Sequence, residues 1–285
     1  EFDGTLAWLV GEEGRGIPTI LQMGVFTRLD CALGSTGIMH QCVAQAVHHA
    51  RHRRAFGRRL IDQPLMRNVL ADLALESEAA TALAIRLAGA YDRTGDPLET
   101  ELRRVLTAVC KFWICRRGPA LAFEAMEALG GNGYVEESPL ARFYRELPVN
   151  SIWEGSGNVI CLDVLRAFGR SPAALDAVVA LWQPARGAHP AFDRLHERLM
   201  ARLAGSEPLT KAAPDLQQRD ARRLVSDLAL ATSAALLLQH APDDIGVLFC
   251  EARLAQPAVA GLAFGQLPVH PAEHRLIERA LPDIG

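Results

Sequence analysis

Apolar residues recur at helical spacing along most of the chain, and the pattern predicts four helices in its first 170 residues. The first is predicted over residues 18–52, with a proline in its first turn, where proline is tolerated. The second begins after Pro64 and stops near the turn sequence Thr94–Pro97. The third covers residues 98–129, and the fourth covers residues 156–168 and closes at Gly169. The stretch between the last two is interpreted as rich in loops.

Long helices joined by short turns predict an all-α fold built around an antiparallel helical bundle. After Arg170 the sequence becomes rich in Ala and Pro, and shorter helices are expected over residues 192–203, 215–239, 245–254 and 272–281. We place a domain boundary between Arg170 and Pro190. The chain then divides into residues 1–16, the end of a β-domain or a linker, residues 17–170, the helical bundle, and residues 171–285, a smaller helical domain called here the C-terminal extension.

The first residues do not resemble the start of a domain. The segment Trp8–Gly16 reads as the end of a strand followed by a Gly-rich turn. We therefore expect the natural protein to have an N-terminal portion that this chain lacks.

Composition narrows the functional classes. The formal net charge of -3 gives no support to a protein that coats nucleic acid over its whole surface. Six cysteines in apolar contexts, without CxxC pairs or zinc-ligand spacing, predict reduced and buried thiols. No uncharged apolar run reaches about eighteen residues, so no membrane span is expected. Without a signal peptide at the start, the sequence favours a cytoplasmic protein.

The segment Arg51–Arg59 carries five arginines around Phe56 and Gly57. Cations at the end of a helix complement its dipole, so a solvated helix end is one interpretation. The other is an anion site, because guanidinium groups match phosphate oxygens and an aromatic side chain provides a wall for a ring. Composition alone leaves both open.

Two further segments carry candidate chemistry. In Ala128–Tyr134 the paired glycines Gly130 and Gly131 either end a helix or let the backbone approach a ligand. In Ser151–Asn158, Glu154 follows Trp153 and precedes a helix expected to be capped by Ser156. Glu154 is either a carboxylate at a helix start or a general base whose pKa is raised by desolvation beside Trp153.

Weaker signals remain. His48 and His52 are four residues apart on one helix face, but no carboxylate is spaced to complete a metal site, and we predict none. Cys110 and Cys115 lie on one helix and are expected to pack.

In their order and separation, the three segments resemble the acyl-CoA dehydrogenase family over about residues 11–170. The resemblance implies a C-terminal four-helix bundle, FAD as cofactor and an acyl-CoA as substrate. Glu154 matches the base that removes the thioester α-proton. Gly130 and Gly131 match glycines that contact the FAD of a neighbouring subunit, so a homo-oligomer, expected to be a tetramer, is implied.

The same resemblance assigns the other site residues. Those implied to contact FAD are Arg53, Phe56, Gln63, Ser156 and Asn158, and Arg28 matches an arginine near the substrate pocket. The sequence departs from the family pattern at two positions. Glu127 replaces a glutamine that touches FAD in many relatives, and Trp153 replaces a tyrosine and would narrow the substrate pocket.

Part of the sequence is similar to a narrower subgroup, the AidB-type alkylation-response flavoproteins, which associate with DNA and are poor dehydrogenases. The segments that carry this similarity are LADLALESEAATAL, YRELPVNSIWEGSGNVICLDVLR and the helical tail. Two arginine rows spaced by four residues are candidate phosphate contacts, namely Arg194, Arg198 and Arg202, and Arg166 with Arg170. The similarity implies either a weak dehydrogenase or a protective DNA-binding flavoprotein with little turnover. An ordinary short- or branched-chain acyl-CoA dehydrogenase remains the third interpretation.

Overall fold

The computed structural model describes residues 1–205, 211–255 and 264–281, and the fold in these ranges is almost entirely helical. This confirms the predicted all-α class. In these ranges no helix combines the length and the apolar character needed to cross a membrane.

Three long helices form the main body: α1 (Gly16–His52), α2 (Pro64–Asp92) and α3 (Pro97–Leu129). Between α1 and α2 lie a two-stranded antiparallel hairpin of β1 (Arg54–Ala55) and β2 (Arg58–Arg59), and a 3-10 turn, Leu60–Asp62. Asp96 caps α3, since its carboxylate accepts from the amides of Leu98 at 2.8 Å and Glu99 at 3.3 Å.

Three shorter helices complete the bundle region: α4 (Gly131–Tyr134), α5 (Pro139–Ile152) and α6 (Gly157–Arg170). In the extension, α7 (Ala173–Trp182) leads through a 3-10 turn to α8 (Pro190–Ala204) and the long α9 (Pro214–His240). There follow α10 (Asp243–Phe249), a π-helical segment (Cys250–Leu254) and α11 (Ala272–Ala280).

Helix α3 lies at the centre of the molecule. It packs against α1, α2, α5 and α6 on the bundle side and against α7 and α9 of the extension. Apolar side chains are therefore buried around much of its circumference, among them Val105, Val109 and Ile114. The apolar core continues from the bundle into the extension, where the indole of Trp182 donates to Thr232 Oγ1 at 3.1 Å.

Several boundaries differ from the sequence prediction. The predicted loop before Glu154 contains α5, which starts on a proline at its first position and continues through Pro148. Helix α7 was also missed. Gly169 does not end α6, because the helix runs to Arg170 and ends before Ser171–Pro172. The strand expected at Trp8–Val10 does not form, since that segment finds no neighbouring strand for its backbone hydrogen bonds in the described chain.

Candidate active site and cofactor cavity

Glu154 lies at a cavity of about 1030 Å³ bounded by α1, α3 and α6. We call it the glutamate cavity. One wall is apolar and comes from the start of α1, with Ile20, Leu21, Met23 and Val25. The lining also includes five arginines and two further acidic residues, namely Arg28, Arg103, Arg104, Arg166, Arg170, Glu101 and Asp163. Its volume is at the upper end of the usual range for small-molecule sites.

The candidate base stands on a turn of unusual backbone conformation. Helix α5 ends at Ile152 and α6 begins at Gly157, so four residues reverse the chain. Glu154 has φ of 58° and Gly155 has φ of 110°. A side-chain-bearing residue in this region costs about 1–3 kcal/mol and persists only where its surroundings enforce it. The turn therefore merits a functional explanation.

Cationic side chains from two helices hold this turn. Arg28 on α1 donates from Nε to the Glu154 carbonyl at 2.9 Å and from Nη1 to Asp163 Oδ2 on α6 at 2.8 Å. Lys111 on α3 donates to the Gly155 carbonyl at 2.5 Å. The carboxylate itself lies against α1, where a Cβ on Gly24 would be 3.6 Å from Glu154 Oε2. A larger residue than glycine at that position would narrow the space around the carboxylate.

The desolvated pocket expected from Trp153 is not formed by this chain alone. Glu154 is exposed, and Trp153 is 51% exposed. The reason is that the start of α1 presents an apolar face that no described residue covers, with Ile17, Ile20, Leu21, Met23 and Phe26 each more than half exposed. The glutamate cavity is thus open on the side of that face.

A second cavity, of about 370 Å³, joins two motifs that are far apart in sequence. We call it the glycine cavity. Arg53 and His49 from the end of α1 line it together with Glu127, Gly130 and Gly131 from the end of α3. Burial and the nearby Arg53 guanidinium lower the pKa of His49. Four candidate cofactor residues therefore meet at one place, as expected of a shared ligand site.

The three glycines of the Ala128–Tyr134 segment differ in whether the fold requires glycine at their positions. Gly130 has φ of 62°, which disfavours other residues, and Gly133 packs so closely that a Cβ would lie 2.3 Å from the Met126 carbonyl oxygen. Gly131 has neither constraint, because nothing lies within 4 Å of a Cβ built there. Within this chain, folding does not require glycine at position 131.

Phe56 and Gln63 lie on the hairpin side of the same region. Phe56 is 94% exposed and has φ of 51°, which is unusual for an aromatic residue. Gln63 donates from Nε2 to the Ala55 carbonyl at 3.3 Å and so braces the hairpin. The hairpin presents Phe56 to the outside rather than to this chain's own core.

Ser156 and Asn158 belong to the glutamate turn and not to the glycine cavity. Ser156 occupies the N-cap position of α6, as predicted, but its side chain makes no capping hydrogen bond. Asn158 Oδ1 accepts from Arg222 Nε at 2.8 Å. Arg222 belongs to α9, so the extension contacts the turn directly. The two cavities share no lining residue, and the candidate cofactor residues fall into two separate groups.

The arginine rows have different environments. On α8, Arg194 and Arg198 are exposed, whereas Arg202 donates to Asp227 at 2.9 Å and also pairs with Asp220. On α6, Arg166 lies 3.7 Å from Asp163, which precedes it by three residues on the same helix. Arg166 and Arg170 also line the glutamate cavity.

Sequence reasoning did not connect three residues with the glutamate turn, namely Lys111, Asp163 and Arg222, which lie on other helices and hold the turn, its partner Arg28 or the adjoining Asn158. Lys111 had a visible signal, since it is the single charged residue in the apolar run Val109–Cys115. Asp163 carried none, and Arg222 stood out only as a member of the arginine cluster Arg219, Arg222 and Arg223, because only the folded structure brings α6 and α9 to the turn.

The remaining candidates have structural explanations. All six cysteines are buried and unpaired, as their apolar contexts predicted. The rings of His48 and His52 lie 4.5 Å apart between centroids. In the described ranges, no group of three or more histidines, cysteines, aspartates and glutamates is arranged to hold a metal ion.

The arrangement agrees with what sequence comparison finds. The sequence model for the C-terminal domain of acyl-CoA dehydrogenases matches residues 14–169, and the chain belongs to the acyl-CoA dehydrogenase family. It is 44% identical over 254 residues to the acyl-CoA-dehydrogenase-type protein AidB of Escherichia coli (strain K12), over 89% of this chain and 45% of AidB. It is 29% identical over 257 residues to acyl-CoA dehydrogenase family member 11 of Caenorhabditis elegans, over 85% of this chain and 42% of that protein.

Solved structures give the same result for the fold. The crystal structure of Caenorhabditis elegans ACDH-11 in complex with C11-CoA superposes with a TM-score of 0.72 at 25% identity. The match covers 96% of this chain, the extension included, and 45% of that chain. The chain thus spans somewhat less than half the length of these relatives.

Proposed function

We propose that this chain is the C-terminal part of an FAD-dependent acyl-CoA dehydrogenase of the AidB type, with Glu154 as the general base. The observation that carries the proposal is the glutamate cavity. Glu154 lines one cavity together with apolar side chains and several arginines, a combination that suits a thioester joining an apolar acyl chain to the anionic phosphates of CoA. Relatives named as acyl-CoA dehydrogenases support this assignment.

The residues present fit a flavin dinucleotide. The glycine cavity offers the Arg53 guanidinium next to a backbone that is open above Gly131, a combination suited to phosphate oxygens. Phe56, Gln63, Glu127 and Gly130 would complete this group, and Ser156 and Asn158 would form the other. Because Ser156 and Asn158 belong to the glutamate turn and do not line the glycine cavity, we assign that cavity to the FAD of a neighbouring subunit, which requires a homo-oligomer, expected to be a tetramer.

The residues of this chain have distinct parts in the reaction. Glu154 takes the proton from the carbon α to the thioester, and FAD, when bound, accepts the hydride from the β-carbon. Arg28 holds the backbone of the turn, and the arginines at the mouth, including Arg166 and Arg170, bind CoA phosphates. Trp153 lies next to the base and narrows the substrate pocket, which limits the size of the acyl group. The apolar face of α1 is the surface on which the remainder of the full-length protein would exclude water.

The test is anaerobic bleaching of the flavin absorbance by acyl-CoAs of different chain length, in the full-length protein. Glu154→Gln is expected to retain FAD but to slow flavin reduction by about 100- to 10,000-fold, the usual contribution of a general base. Glu146→Gln, at an exposed glutamate of α5, is the matched control and should reduce at the wild-type rate. Reduction of Glu154→Gln at the wild-type rate would disprove the assignment.

The same measurement separates the alternatives. If short or branched acyl-CoAs readily reduce the flavin, the protein is an ordinary dehydrogenase. A protein that holds FAD, binds DNA and is not reduced by any acyl-CoA is a protective flavoprotein, as the AidB-type similarity implies. The role in DNA alkylation response rests on that similarity and on the arginine rows.

A further inference from the structure

Lys111 is a buried cation beside the candidate base. The chain contains two lysines, Lys111 and Lys211, and all its other Lys or Arg positions are arginine. Lys211 is exposed, whereas Lys111 is 1% exposed in the middle of α3. Burial of an ammonium group costs several kcal/mol unless partners compensate for it. The position of Lys111 therefore needs an explanation that packing does not provide.

The hydrogen bonds of Lys111 point to the glutamate turn. Its Nζ donates to the Gly155 carbonyl at 2.5 Å, while Arg28 donates to the preceding carbonyl, that of Glu154, at 2.9 Å. Two successive carbonyls are thus held by cations from two different helices. This clamp is what keeps Glu154 and Gly155 at positive φ, a conformation that would otherwise relax.

The other groups around Lys111 do not compete for its charge. The thiols of Cys31 on α1 and Cys115 on α3 face it, together with Arg28 and Glu154. Burial raises the pKa of the Cys31 thiol and raises that of Cys115 to about 11, so both are neutral at physiological pH. Among the described residues, Lys111 forms no ion pair with a carboxylate at contact distance, and Glu154 is the nearby anion.

We propose that Lys111 is a positioning residue for the candidate base: it holds the Gly155 carbonyl, fixes the backbone that aims the Glu154 carboxylate into the glutamate cavity, and supplies the buried positive charge that balances it. This inference rests on the proposed function. It adds a buried cation to a site for which the sequence predicted Arg28, Trp153 and Glu154.

The experiment compares three variants of the full-length protein. Lys111→Met removes the charge and the donor at nearly constant length, Lys111→Gln retains a donor without charge, and Lys211→Met is the control at the exposed lysine. All three are expected to fold, and Lys211→Met should bind FAD and acyl-CoA with wild-type affinity. Flavin reduction by acyl-CoA should be about 10- to 100-fold slower in Lys111→Met, because small misplacement of a catalytic group has effects of this size.

The pH profile distinguishes positioning by charge from a purely structural role. Burial lowers the pKa of Lys111, so the ammonium loses its proton at lower pH than an ordinary lysine does. The wild-type reduction rate should therefore fall on the alkaline side, and both Lys111 variants should lose that alkaline fall. Variants whose rate and pH profile match those of Lys211→Met would overturn the proposal.

Hydrogen exchange tests the clamp without any turnover. Amides of residues 153–158 should exchange faster in Lys111→Met than in Lys211→Met, with the rest of α3 unchanged. Unchanged exchange at the turn would overturn the positioning role even in a protein that reduces no flavin. If Glu154→Gln is slow but Lys111→Met is normal in both rate and exchange, the inference fails and the proposed function stands.

Discussion

At the scale of single residues, the two cavities differ in how tightly the chain itself constrains them. The glutamate turn is fixed by Arg28 and Lys111, so its unusual backbone is enforced from within. The backbone at the glycine cavity is not held in this way by other residues of the chain. Gly130 needs its positive φ, but the space above Gly131 is open. Gly131 differs from other unconstrained glycines in lining a cavity beside Arg53, where a ligand could approach its backbone from outside the chain.

This explanation makes Gly131→Ala an informative variant. The fold should tolerate the methyl group, with stability unchanged or raised by up to about 1 kcal/mol, as for a glycine-to-alanine change at a compatible site. If FAD approaches the backbone here, its affinity should fall about tenfold or more, equivalent to about 1.4 kcal/mol. Flavin retention and thermal unfolding of the full-length protein measure the two effects separately.

Gly37→Ala is the matched control, because Gly37 is also an exposed helical glycine and no atom lies within 4 Å of the position that an added Cβ would take. It should leave FAD affinity unchanged. Equal FAD affinity in the two variants would show that FAD does not bind at the glycine cavity.

At the scale of elements, the long helices were predictable and the short ones were not. The third predicted helix, over residues 98–129, differs from α3 by one residue, because its apolar stripe is long and Gly130 ends it clearly. Helix α5 was hidden by Pro139 and Pro148. Proline at the first position is compatible with a helix, and tertiary packing of Leu140 and Leu147 outweighs the internal proline.

The candidate site could be proposed from the sequence for a different reason. Glu154, Arg53 and Gly130 were selected because their segments resemble motifs of the family. The contacts from Lys111 and Arg222 depend on how α3 and α9 pack against the turn, which no local pattern contains. The exposure of Trp153 could not be foreseen either, since it depends on what covers the start of α1.

Helix α8 shows how packing divides a row that looks uniform in sequence. Arg194 and Arg198 are exposed, although the charge of Arg198 also acts on Asp227, while Arg202 is paired with Asp220 and Asp227 on α9. If DNA is a partner, Arg194→Ala and Arg198→Ala should each lower the log–log salt slope of binding by roughly 0.9. Arg202→Ala should leave that slope unchanged and lower stability instead.

Filter binding or fluorescence anisotropy over a range of salt concentrations measures the slope for each variant. An equal change of slope in all three variants would contradict the division of the row. A wild-type protein with no detectable affinity for DNA at low salt would exclude the α8 row as a DNA contact.

At the scale of the whole molecule, a buried ionic cluster joins the extension to the bundle. Asp72 and Glu76 on α2 face Arg117 on α3 and Arg253 from the π-helical segment. Asp72 also accepts from the backbone amide of Gly265 at 2.9 Å. The extension is therefore attached through charges with little access to water. Removal of one partner should cost more than it would at the surface.

The cluster predicts an acid-sensitive attachment. Burial alone would raise the pKa of Glu76, but the guanidinium groups of Arg117 and Arg253 outweigh it and lower the pKa to about 2. A carboxyl group with a depressed pKa in the folded state stabilises it above its unfolded pKa of about 4.3, and this stabilisation is lost as the pH falls toward the folded value. Loss of the contact between extension and bundle should thus begin below about pH 4.3.

Arg253→Met is the direct test of this attachment. It leaves Asp72 without its cation in a buried place, so the free energy of unfolding should fall by about 3–5 kcal/mol. Arg279→Met is the control, because it breaks the 2.6 Å pair with Glu78 between the same helix α2 and α11, where the arginine side chain is 46% exposed. Such a partly exposed pair is worth about 0–1 kcal/mol. Urea-unfolding midpoints of the two variants should therefore differ clearly, and equal losses would show that the buried cluster does not hold the extension in place.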